Sequence, residues 1–165
     1  MSNEINKIYD PVEIDADFFA ENEDEQERFY SIVKTLPDLV LDVLFGLDTP
    51  KILEGIARNF GLQPEQSAIL SRLVRKVLIG DFYIGDFPSK ISSGLDVDQD
   101  KAREIAKATA SDLFIDAVAD IKRIHLQKFP NASLEKQPED TKGQQHGVKN
   151  LSETGGNIID LRSRN

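Results

Sequence analysis

The stretch "QPEQSAILSRLVRKVLIG", residues 63–80, decides the fold. Its apolar residues Ile69, Leu70, Leu73, Val74, Val77 and Leu78 recur at intervals of three and four, which lays one stripe along a helix. Pro64 and Glu65 suit a first turn, where proline's missing N–H is not needed and a carboxylate meets the positive end of the macrodipole. Gly80 supplies the stop, because glycine enters the left-handed conformation that ends many helices at little cost.

The flanking segments read the same way. "LDTPKILEGIARNFGL" (47–62) opens on Asp48 or Thr49 as N-cap, carries Pro50 in its first turn and stops at Gly61. "GDFPSKISSGL" (85–95) is a shorter copy, from Asp86 and Pro88 to Gly94. "DQDKAREIAKATASDLFIDAVADIKRIHLQKF" (98–129) is amphipathic throughout, with Ile105, Ala106, Ala110, Leu113, Ala117, Ile121 and Ile124 on one side. Unbroken, it would run roughly 45 Å, longer than a small domain is wide, so a kink or break is predicted at "TASD", 109–112. No strict apolar/polar alternation competes, and "GDFYIGDF" (80–87) reads as a connector.

Segments also resemble one another. "LVLDVLFG" (39–46) and "LVRKVLIG" (73–80) share Leu, Val, Val, Leu and Gly, and each precedes an Asp-x-Pro start and a short helix ending in Gly-Leu. The predicted fold is therefore all-α: an antiparallel helical bundle of tandem helical hairpins, built from helix–turn–short helix units of period about 33–38, with flexible N- and C-terminal segments. The expected organisation is an acidic arm over 1–23, a helical domain over 24–129, a disordered linker over 130–156 and an apolar peptide at 157–165. The linker expectation rests on its Gln, Glu, Lys, Gly and Ser content, which offers too little apolar surface to offset ordering entropy.

Charge is unevenly placed. The net charge of −9 lies mostly in residues 1–36, which hold three Lys/Arg against ten Asp/Glu. The first residues lack the apolar run of a secretory signal and no 18-residue uncharged stretch occurs, so a soluble cytoplasmic protein with no membrane span is expected. The absence of cysteine removes disulfides, thiolate metal sites and cysteine nucleophiles.

Site chemistry is sparse. In "GLDVDQDKAREIAK" (94–107), Asp96, Asp98 and Asp100 match the first three ligands of a calcium loop. However, Lys101 stands where the turn glycine belongs and Lys107 where the closing glutamate belongs, so a capped helix start is expected and no metal. His125, beside Lys122, Arg123 and Lys128, reads as cationic complementation of a helix C-terminus. His146 lies in the linker. Dinucleotide, phosphate-loop, nucleophile-elbow and zinc-protease motifs are missing, so no catalytic, cofactor or metal residue is assigned and a non-enzymatic protein is expected.

Two partner hypotheses remain. "GGNIIDLRSRN" (155–165) restores Ile158, Ile159 and Leu161 among Asp160, Arg162 and Arg164 after a long polar run. An apolar cluster on a tether has the form of a docking peptide, for a protein partner or a groove on its own core, with Ile158, Ile159, Asp160, Leu161 and Arg162 as contacts. Such a chain would be a helical adaptor, scaffold or regulator. The alternative is a nucleic-acid-associated, helix-turn-helix-like regulator that uses the Arg72, Arg75 and Lys76 face. The acidic balance argues against it, and a solvated helix face is the simpler reading of those three cations.

Overall fold

A computed structural model describes residues 7–132. Among them the architecture is all-α, with eight α-helices and no strand. In chain order these are α1 (Ala16–Glu21), α2 (Glu23–Val33), α3 (Asp38–Phe45) and α4 (Thr49–Asn59), followed by α5 (Pro64–Leu78), α6 (Phe87–Leu95), α7 (Gln99–Asp112) and α8 (Val118–Lys128). Short 3-10 turns precede α1 and α6. No helix among the described residues is long and apolar enough to cross a membrane.

The α5 helix is the central member. Its stripe of Leu70, Val74, Val77 and Leu78 is buried, and it packs against α3, α4 and α6. A capping box at its start pairs the Gln63 N–H with Gln66 Oε1 at 2.9 Å, and the Gln66 amide then donates to the Leu95 carbonyl at 2.7 Å. One residue therefore both caps α5 and ties it to the end of α6. The core continues through Val40 and Leu44 of α3, Leu53 of α4, Ile91 and Leu95 of α6, Ile105 of α7 and Ile121 of α8.

The long C-terminal stretch breaks where its length required. The α7 helix ends at Asp112 and α8 begins at Val118. Thr109 is the pivot: its hydroxyl donates back to Ile105 O at 2.9 Å, and its own carbonyl accepts from both the Leu113 and Phe114 N–H groups at 3.0 and 3.1 Å. Such back-bonding bends helices, and a shared carbonyl ends the regular ladder.

Three details depart from the sequence reading. The helical region that ends at Gly46 is two helices, because Pro37 starts α3 in extended geometry and separates it from α2. The two Gly-Leu pairs do different work. Gly61 sits at φ 62° and terminates α4, whereas Gly94 lies inside α6, where a Cβ would come within 3.1 Å of Ile69 Cγ2. Asp96, at φ 52°, takes the left-handed position after α6. Residues 7–23 are structured as well, with α1 and the turn Glu13–Asp15 packed against the body.

Candidate functional site

Ser67, Ser71 and Arg75 form a second buried stripe on α5, at i, i+4 and i+8 alongside the aliphatic one. The N-terminal arm covers it. Ser71 Oγ donates to Ile8 O at 2.7 Å, and an Arg75 guanidinium nitrogen donates to Pro11 O at 3.0 Å. Asp15 closes the contact by accepting from Arg75 at 2.6 Å and from Arg72 Nε at 2.8 Å. The Phe19 ring lies 5.2 Å under the Arg75 guanidinium and stacks on Phe29. Burial pushes the Asp15 carboxyl upward, but the hydrogen bonds and charges of Arg75 and Arg72 outweigh it and hold the group below its ordinary 3.8.

This replaces the solvated cationic face read from the sequence. Arg75 is 7% exposed and committed to the arm, Arg72 is half-buried on the same carboxylate, and only Lys76 of the three is exposed. An open cleft of about 610 Å³ runs beside the latch, walled by Phe18, Ile32, Arg28 and Asp81. Arg28 bridges Glu25 and Asp81 across it at 3.4 and 3.2 Å. In the sequence, two serines and an arginine spaced by four are compatible with close backbone approach, but an ordinary polar helix face carries the same pattern, so nothing local marks the latch.

Another concavity, of about 230 Å³, lies along α3. The α3–α4 turn and the α7–α8 connection form it, with Val43, Ile52 and Leu113 as floor. Leu39 and Leu47 stand on its wall at 45% and 89% exposure, and Ile115 of the connection is 62% exposed. Asp42, Asp48 and Asp116 line it and are exposed. Lys51 meets Asp48 at 3.0 Å, whereas Asp42 and Asp116 make no ion pair among the described residues. The frame is fixed from below: Thr49 Oγ1 donates to Val43 O at 2.6 Å, and Leu113, Phe114 and Ala117 anchor the connection in the core. A preformed trough with an apolar floor and, at Asp42 and Asp116, carboxylates that have no ion partner among the described residues can bind an aliphatic segment that also carries cations.

His125 departs from its expected surface role. It is 1% exposed and bridges two segments, accepting the Ile84 N–H at Nδ1 and contacting Val77 O at Nε2, both at 2.8 Å. The first bond makes Nδ1 the acceptor, so the proton sits on Nε2 and both ring nitrogens of the neutral imidazole are satisfied. Burial lowers its pKa below 6.5, reinforced by the Lys128 charge and opposed by the bond to Val77. Protonation therefore favours the unfolded chain. The contribution of His125 is complete above about pH 6.5 and shrinks as pH falls from there toward the folded-state pKa. Urea midpoints measured at pH 7.5 and 5.5 are expected to drop over this interval in the wild type. In His125→Gln, which cannot charge, that drop is expected to be smaller.

Around "GLDVDQDKAREIAK", Asp98 caps α7 by accepting the Lys101 N–H at 2.8 Å, and Asp100 pairs with Arg103. No group of three or more His, Asp or Glu side chains suited to a metal ion occurs among the described residues. The proposed peptide contacts Ile158, Ile159, Asp160, Leu161 and Arg162 lie outside the described residues. No protein-family model, curated protein or solved structure matches this chain.

Proposed function

We propose that this chain is a non-enzymatic helical interaction protein that docks short linear segments in the trough between the α3–α4 turn and the α7–α8 connection, and that it carries such a segment itself at residues 158–162. The observation that supports this reading is Leu47, an aliphatic side chain held in water on the α3–α4 turn beside Asp42 and Asp116, which have no ion partner among the described residues. Fully burying a leucine is worth about 1.5–3 kcal/mol, and Leu39 and Ile115 add partial shares, enough for a weak, reversible contact. The nucleic-acid alternative draws no support from the geometry, because Asp15 already engages Arg72 and Arg75 and the trough itself is acidic.

Leu47 contributes almost nothing to the fold at this exposure, so Leu47→Asp is expected to leave thermal stability within about 0.5 kcal/mol of wild type. A random peptide library displayed on phage would be panned against the full chain carrying Ile159→Asp and Leu161→Asp, so that its own tail does not compete. Selected peptides are expected to share an aliphatic pair followed by Arg or Lys. Adding Leu47→Asp is expected to abolish the enrichment; enrichment that survives it would overturn the reading.

A further inference from the structure

We infer that the trough's resident occupant is the C-terminal segment of the same molecule, "IIDLRSR" at 158–164, so that the interaction surface is self-covered until a competing segment displaces the tail. This inference rests on the trough being a docking surface, and it adds the identity of what covers it.

Three observations select this occupant. The first is chemical fit. The segment places Ile158, Ile159 and Leu161 next to Arg162 and Arg164, while the trough offers Leu39 and Leu47 beside Asp42 and Asp116. Aliphatic side chains meet the leucines and guanidinium groups meet the carboxylates, which pair well with the planar fork of arginine. The second is the exclusion of another copy of the same face. A two-fold contact brings each patch against itself, and here it would set Asp42, Asp48 and Asp116 against their own counterparts.

The third observation is reach. The described chain ends at Ala132, just past α8, and α8 begins two residues after the trough-lining Asp116. The exit therefore lies about one length of α8 from the trough, or about 17 Å for its 11 residues. Residues 133–157 separate that exit from the segment, and 25 residues of such polar, glycine-containing composition would span about 25–30 Å root-mean-square if they behave as a Gly/Ser-type linker. Span and reach are comparable, the regime in which effective concentration is greatest, about 1 mM. A free-peptide dissociation constant of about 0.1 mM would then leave about nine in ten molecules closed. A free partner segment of the same affinity meets a roughly tenfold competitive handicap, which makes the tail a threshold device.

The lack of cysteine makes the test direct. Asn165→Cys introduces a single thiol into the full chain, where a nitroxide is attached and amide relaxation is read by NMR. The expected result is selective broadening of amides in residues 39–49 and 113–117, with the α1 and α2 amides unaffected. Leu161→Asp is expected to remove that broadening without moving the thermal midpoint. Uniform weak broadening, or broadening centred on the arm cleft, overturns the assignment. If the nitroxide shows no contact while library peptides still require Leu47, self-coverage fails and the docking surface stands. If the library peptides also ignore Leu47, both fail.

Discussion

Phe114→Ala is expected to destabilise the fold by about 4 kcal/mol, the largest effect of any single change considered. Phe114 is among the largest fully buried side chains and packs its ring 6.1 Å from that of Phe87. It belongs to a connection rather than a helix, and its backbone N–H is held by the Thr109 carbonyl that also serves Leu113. The neighbouring helices α6, α7 and α8 are pinned by their own buried residues and cannot close over the lost ring, so the cavity term is retained. A lowered urea midpoint with unchanged slope would report this loss. Because Leu113, Ile115 and Asp116 flank Phe114, the same variant is expected to weaken peptide binding at the trough beyond its effect on stability. A loss below about 1 kcal/mol would mean the connection repacks and the trough is not a rigid feature.

Asp15→Ala is expected to cost about 3 kcal/mol, at the low end of the range for stripping a buried cation of its partner. Arg75 would keep the Pro11 carbonyl and the Phe19 ring but lose its only carboxylate partner among the described residues. The comparison that isolates the pair is a double-mutant cycle with Arg75→Met, which removes the stranded charge and restores an aliphatic filling. The double variant is expected to be more stable than the sum of the two single losses by about 2 kcal/mol, and strict additivity would show that the latch is not coupled. The pH dependence has a defined sign. The depressed folded pKa of Asp15 means its contribution is complete above its ordinary 3.8 and is lost as pH falls below that value. This loss begins at lower pH than that of His125, so Asp15→Ala should flatten the wild-type acid profile below pH 3.8 and leave its onset below pH 6.5 in place.

How much of this was legible in the sequence depended on whether a residue's partner lay within its own helix. The α5 stripe, the Pro50 and Pro64 starts and the interruption after Thr109 are local signals, and they appear where periodicity and length placed them. The break at Pro37 is local too, but an apolar run on both sides of it hid the boundary. The latch was not legible, because Ser71 and Arg75 look like part of an ordinary polar face until a segment some 60 residues away covers them. His125 misled for a related reason: its cationic neighbours are sequence neighbours, whereas its true partners are Val77 and Ile84. The trough follows the same rule. Leu47 and Asp116 come together only through packing of α3 against α8, and nothing in either segment alone marks a site.

Docking at the trough is open to one direct measurement. Fluorescence anisotropy of a labelled synthetic peptide of residues 157–165, titrated with the full chain carrying Ile159→Asp and Leu161→Asp, addresses it directly. The expected result is saturable binding that weakens with added salt and is lost when Leu39→Asp and Leu47→Asp are introduced together. Binding that does not saturate, or that persists unchanged in the doubly substituted trough, would contradict it.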